Sequence, residues 1–167
     1  MLLGAVTYNI LKDWDLEKII TTLEASGFHG VELRTEHAHK IEPSISAAQR
    51  QEVKNRFARS KVRLVSFGTT AEFHSPDPAV RRKHVETAKT FIDLAHDAGA
   101  WGIKVRPNGL PKEVPVDTTI GNIGAALKEL GDYGAGKGVE IYMEVHGRDT
   151  QVPTVSHRIM KDRKSVV

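Results

Sequence analysis

The chain has no cysteine. That removes disulfides, thiolate metal centres and cysteine nucleophiles at once. It also has no apolar run near the roughly 18 residues that a membrane-spanning helix needs. The opening MLLGAVTYNI carries no basic residue, so it does not read as a secretory signal. A cytoplasmic protein with no membrane partner is the expectation. An excess of one charge is missing as well: 24 Lys and Arg against 21 Asp and Glu leave a formal charge of +3. So small and scattered an excess gives no reason to expect nucleic acid as a partner. The densest run, Lys161-Asp162-Arg163-Lys164, reads as a solvated helix end. No phosphate-binding G-x-x-x-x-G-K occurs, and no serine sits in a nucleophile elbow.

What is present is an ordinary globular composition. With 40% hydrophobic and 27% charged residues over 167 positions, the chain is long enough for a single domain, 1–167, with a sizeable core. Strand-like and helix-like segments alternate along it. Strands are expected near Ala5–Ile10, Gly30–Thr35, Val62–Phe67, Gly102–Arg106 and Val139–Val145. Helices are expected near Asp15–Ser26, Ser46–Ser60, Pro78–Gly99, Thr118–Lys137 and Thr154–Lys161. Leu16, Ile19, Ile20 and Leu23 follow helical spacing, as do Val80, His84, Ala88, Phe91, Ile92 and Ala95. Ser46 followed by Gln49 reads as a capping box, and Pro78 suits a first helical turn. Ser165-Val166-Val167 looks like the beginning of a sixth strand.

Alternation within the strands is the most informative feature. Glu32 and Arg34, Lys104 and Arg106, and Glu144 and His146 each lie two apart, with Val31, Leu33, Ile103, Val105, Met143 and Val145 between or beside them. Residues two apart share one face of a strand, so these strands have one apolar and one ionisable face. Parallel strands covered by helices on both faces read as apolar throughout. One charged face instead predicts an α/β barrel of TIM type, with helices outside and ionisable groups pointing inward toward the strands' C-terminal ends. The loops after strands (EHAHKIEPSIS, GTTAEFHSPDP, PNGLPKEVP) are long, and the returns (SGFHG, SKV, GAWG, GKG) are tight. That asymmetry places a site on one rim. A full barrel takes about 250 residues, so five units and a strand stub amount to an incomplete one.

The segments LEASGFHGVELR, FHSPDPAVRRKHVETAKTFIDLAHDAGAWGIKVRPNG and GVEIYMEVHG resemble the xylose-isomerase-like barrel superfamily, in its sugar phosphate isomerase/epimerase branch. The resemblance spans about residues 4–160 and marks the chain as the N-terminal part of such a barrel. It implies that Glu144, at the end of the fifth strand, binds a divalent metal (Mn, Mg or Zn). It also implies that the other ligands come from later strands, so the ligand set here is incomplete. A carbohydrate or polyol substrate and metal-dependent proton transfer follow as expectations. The superfamily's apurinic endonucleases want histidines at the ends of early strands, where this chain has Arg106-Pro107-Asn108-Gly109. Its ketose 3-epimerases want an acid six residues after the metal-binding glutamate, where this chain has Thr150.

Around Glu144, the residues expected to meet substrate are His146, Arg106, Lys104, Glu36, His37 and His74. Arg106 is the better anion binder, because a guanidinium matches carboxylate or phosphate bidentately. Lys104, deeper, is expected to partner Glu32, and Glu32 and Arg34 are a second candidate pair. Alternatives stand beside these roles. Glu144 could be an interior carboxylate neutralised by Lys104 or Arg106, and His37 and His39 could be solvated loop residues. Trp14 is a candidate apolar wall. A non-catalytic partial barrel that self-associates through open sheet edges is the main alternative to an enzyme.

Overall fold

The computed structural model describes residues 1–162. Five strands alternate with five helices: β1 (Gly4–Val6), α1 (Leu16–Ala25), β2 (Gly30–Arg34), α2 (Ala47–Ala58), β3 (Arg63–Glu72), α3 (Pro78–Ala98), β4 (Gly102–Arg106), α4 (Val116–Ala135), β5 (Glu140–Met143) and α5 (Pro153–Asp162). The sheet order is β1-β2-β3-β4-β5, and every neighbouring pair is parallel. A doubly wound sheet reverses its strand order at a switch point. This sheet never reverses, so successive β-α units advance in one direction, as in a TIM barrel. Among the described residues no strand links β5 back to β1, so the sheet is an open sector of a barrel. The strand expected at Ser165–Val167 lies outside the described residues.

Local chemistry explains where the helices begin. The Asp15 carboxylate accepts from the Lys18 N–H at 2.8 Å and opens α1. Ser46 and Gln49 cap α2 reciprocally: each side chain accepts from the other's backbone N–H, at 3.3 and 2.9 Å. Asp77 caps α3, whose first residue is Pro78. One expectation about α3 needs correcting. Its buried stripe runs through Val85, Ala88, Ile92 and Ala95, with Leu94 beside them, while Val80 is exposed. Val80 lies eight residues before Ala88, about 80° further round the helix.

Three strands also differ from expectation, among them β5, which ends at Met143, two residues short of the expected Val145. β1 stops at Val6, because Asn9 takes a left-handed conformation (φ 60°) and the chain makes a 3-10 turn over Asn9–Leu11. Asparagine tolerates that region far better than branched residues do. β3 runs on to Glu72, through the Gly-Thr-Thr stretch expected to be loop.

Sheet and helices share a single core. Val31, Leu33, Ile103 and Val105 are fully buried on one face, packed with Ile19, Ile92, Leu94, Ile123 and Leu130 from the helices. Consecutive helices α2 to α5 touch in series, which makes them one layer. The opposite face of the sheet carries Glu32, Arg34, Lys104 and Arg106, all half-buried.

Candidate functional site

The charges on the inner face are paired by position. Lys104 Nζ lies 2.7 Å from Glu32 Oε1 and 3.2 Å from Glu144 Oε2, so one ammonium bridges β2 and the end of β5. Burial by itself would lower the Lys104 pKa. Hydrogen bonds and charge from Glu32, then Glu144, outweigh burial and leave it raised, so Lys104 is a cation at neutral pH. Ser66 Oγ donates to the other Glu32 oxygen at 2.8 Å. Gly68 makes room for this carboxylate: a Cβ there would sit 2.8 Å from Glu32 Oε1. Glycine inside a strand often marks such a close approach.

Arg106, expected to bind an anion, has a carboxylate partner inside the protein. Its Nη2 lies 2.7 Å from Glu72 Oε1, and Glu72 is its register neighbour across β3 and β4. The anion-binding role expected of Arg106 is therefore partly taken up inside the protein, although its buried Nε has no hydrogen-bond partner. Nor does Glu32 pair with Arg34. The Arg34 guanidinium lies over the Tyr8 ring, 5.0 Å from its centroid, and meets no carboxylate among the described residues. Its backbone is pinned on both sides: Arg34 N–H donates to Thr7 Oγ1 at 2.9 Å, and His39 Nε2 donates to its carbonyl at 2.9 Å.

A cavity of about 250 Å³ opens at these strand ends. Arg34, Lys104, Arg106, Glu144 and His146 line it, and Val6, Tyr8 and Thr69 complete the wall. The Glu144 carboxylate and the Arg106 guanidinium thus share one side of the sheet, as the alternation predicts. Glu144 lies just beyond β5 and is held there by its N–H, which donates to the Val105 carbonyl at 2.9 Å. The loop that follows is set by Gly147 (φ 127°), where a Cβ would meet the Asn108 backbone at 2.4 Å. Thr150, the position where an acid would mark a 3-epimerase, is buried, and its hydroxyl donates to the Asn108 carbonyl. It clasps two rim loops together.

The other expected residues lie elsewhere. Glu36 is exposed, and its N–H donates to Glu42 Oε1 at 2.6 Å. His37 shares a 2.9 Å hydrogen bond with Thr7 Oγ1; desolvation first, then Arg34, lowers its pKa. His74 lines a separate rim cavity with Asn108, Gly109 and Arg148. His39, expected in solvent, is only 5% exposed: its Nδ1 accepts from the Ile41 N–H while Nε2 donates to Arg34. Trp14 packs against the core beneath Lys18 and lines no part of the cavity. Glu72 escaped sequence reading because Gly68 and the two threonines look like a turn; counting by twos from Ser66 through Gly68 reaches it.

The donors present do not make a complete metal centre. Among the described residues no three His, Asp or Glu side chains converge to hold a metal ion. Each carboxylate on this face already meets a cation: Glu32 and Glu144 meet Lys104, and Glu72 meets Arg106. Of the inner-face carboxylates, Glu144 is held by the longest of these contacts.

The sequence profile of the xylose isomerase-like TIM barrel family matches residues 20–160. No curated protein matches the chain. Among solved structures, an L-ribulose 3-epimerase superposes with a TM-score of 0.78 at 18% identity, covering 99% of this chain and 58% of that one. The probable 3-DHS dehydratase AsbF of Bacillus anthracis, involved in petrobactin synthesis, gives 0.75 at 13% identity, covering 99% and 60%. The IolI protein, solved with a bound zinc atom, gives 0.72 at 16%, covering 86% and 51%. At such identities the likeness concerns the fold. The chain spans between about half and three fifths of the length of these structures.

Proposed function

We propose a function from one premise: the chain belongs to the xylose isomerase-like TIM barrel family. In our reading, this sector carries part of the site of a sugar or polyol isomerase or epimerase, acting in a complete barrel by proton transfer beside a carbonyl. The observation that carries the reading is the placement of Glu144 beside Lys104 on the wall shared with Arg106 and His146. Neighbours that are sugar epimerases support the substrate class.

Each residue's chemistry assigns its part. Lys104, held protonated, is a poor base but a good donor to an oxygen that gains negative charge. Glu144 is held by Lys104 less closely than Glu32 is, at 3.2 against 2.7 Å, and is the carboxylate best placed to accept a proton from carbon. Returning that proton to the other carbon isomerises the sugar; returning it to the other face epimerises it. His146, exposed at the rim, would meet substrate hydroxyls. A divalent ion in the complete barrel would take Glu144 as one of its ligands and polarise a substrate oxygen; its remaining donors would come from outside the described residues.

The test is carbon-bound hydrogen exchange. The chain is incubated in D2O with a panel of ketoses and ketose phosphates, with and without added Mn²⁺, and deuterium beside the carbonyl is followed by NMR. Exchange that Glu144→Gln abolishes supports the reading. Exchange no faster than in that variant, with every sugar and with Mn²⁺ present, rejects proton transfer by Glu144 in this sector.

A second reading has its own observation. Leu2, Leu3, Tyr8 and Ile10 are exposed beside β1, and Val145 is exposed beside β5, so apolar surface accompanies both open edges. In that reading the protein self-associates by sheet pairing and does no chemistry. A mass in light scattering that rises with concentration favours it, and a strict monomer counts against it.

A further inference from the structure

The inner face has an uneven charge distribution. Lys104 lies between two carboxylates and Arg106 is bound by a third. Arg34 faces the same cavity with no ion-pair partner among the described residues. A half-buried guanidinium without an anion is costly unless something satisfies it. The guanidinium carbon lies over the Tyr8 ring, 5.0 Å from its centroid. A cation–ring contact draws on the charge of the guanidinium and does not use up its N–H groups as a carboxylate would. Thr7 and His39 fix the Arg34 backbone from two directions, and Thr7 is fully buried. The fork is therefore carried on a rigid mount.

We propose that Arg34, braced by Tyr8, anchors an anionic group of the substrate, so that the molecule taken here is an acidic or phosphorylated sugar or polyol. The inference deepens the proposed function and names the substrate class of the same site. It moves the anion contact from Arg106, already engaged by Glu72, to Arg34. The cavity of about 250 Å³ suits a compact ligand of a few carbons with one such group. Both carboxylate and phosphate match the bidentate fork.

The test measures binding alone, so it can fail while sugar chemistry stands, or succeed while that chemistry fails. Isothermal titration of the chain with inorganic phosphate, glycolate and glycerol, at constant ionic strength, is compared among variants. Wild type is expected to bind phosphate or glycolate and not glycerol. Arg34→Gln is expected to weaken the anion about tenfold, the loss of one charge-assisted bidentate contact. Arg34→Lys should recover only part of the loss, and Tyr8→Leu should weaken binding with charge unchanged. Arg59→Gln, just past the C-terminal end of α2, serves as the control for general charge. Tighter phosphate than glycolate assigns a phosphorylated substrate, and the reverse assigns a carboxylate. Anion affinity that is absent in wild type, unchanged in Arg34→Gln, or lowered equally by Arg59→Gln overturns the proposal. If Arg34→Gln unfolds, the Tyr8→Leu and Arg34→Lys titrations decide by the same criteria.

Discussion

Lys104 is the residue on which the interior charge balance rests. Its side chain is 24% exposed and that of Glu32 only 14%, so losing the ammonium leaves a carboxylate with little water to replace it. Breaking a fully buried pair costs about 3–5 kcal/mol; partial exposure reduces this to about 2 kcal/mol for Lys104→Met. Glu144→Gln removes only the longer, more exposed contact and should cost less than about 1 kcal/mol. Urea denaturation of both variants checks the order, and equal losses would show that Glu32 does not depend on Lys104. The Lys104–Glu32 pair was legible from alternation alone, because both residues fall on one face. The partners of Arg106 and Arg34 were not, because pairing depends on register between strands, which spacing within a strand does not encode. A second prediction concerns His39. Desolvation dominates and lowers its pKa, and His37 and His84 shift the same way for the same leading reason. A depressed imidazole is neutral in the fold but protonates more readily once unfolded, so the stability it contributes is full above about pH 6.5 and is lost as pH falls through the folded value. The urea midpoint should therefore drop between pH 7.5 and 5.5, before most carboxylates titrate. In His39→Asn the slope should flatten; an unchanged slope would assign the effect to other groups.

Elements whose boundaries are set by local chemistry were easy to anticipate, and those set by neighbours were not. The Ser46–Gln49 box is a reciprocal pair of hydrogen bonds three residues apart, and α2 starts after it as expected. α2 buries only Val53 and Phe57, so the cap is a large part of what holds its start. Ser46→Ala should cost about 1 kcal/mol, read as a fall in Tm, and Ser46→Asp should restore most of it. β3 behaves in the opposite way. Gly68 reads as a strand breaker, yet it is itself paired on both sides, with Arg34 of β2 and Lys104 of β4, and beyond it Glu72 pairs with Arg106 of β4 after a register shift. Tertiary pairing overrides weak strand propensity. Gly68→Ala tests what the glycine is for: the new methyl would meet Glu32 Oε1 at 2.8 Å. The carboxylate must turn aside, so destabilisation of about 1–2 kcal/mol is expected. Combined with Glu32→Gln, the penalty should shrink, because the uncharged amide loses less when displaced from Lys104. Strict additivity would place the strain elsewhere.

At the scale of the molecule, strand order carries the argument. A strictly sequential parallel sheet with α2 to α5 in one layer is a sector of a barrel, and among the described residues it leaves two edges. The backbone of β1 shows which groups are open. His29 N–H donates to the Leu3 carbonyl and Thr7 N–H to the Glu32 carbonyl, so the odd-numbered residues bond to β2. The intervening Gly4 and Val6 direct their N–H and C=O groups away from the sheet, since peptide groups alternate along a strand. A row of unpaired backbone groups beside exposed apolar side chains is a template for another strand. Leu2 and Ile10 are 73% and 80% exposed on this flank, and neither lines the cavity. Exchanging both for lysine adds charge at the edge without touching Lys104, Arg34 or Glu144. If the edge pairs with a second copy, light scattering should show the wild-type mass rising with concentration, and the double variant should need about tenfold more protein for the same rise. Sugar-dependent hydrogen exchange separates the two readings further. Association that brings exchange activity with it would mean that a second chain completes the site, whereas association without exchange favours the purely structural role. A double variant that associates as readily as wild type would place the contact on some surface other than β1.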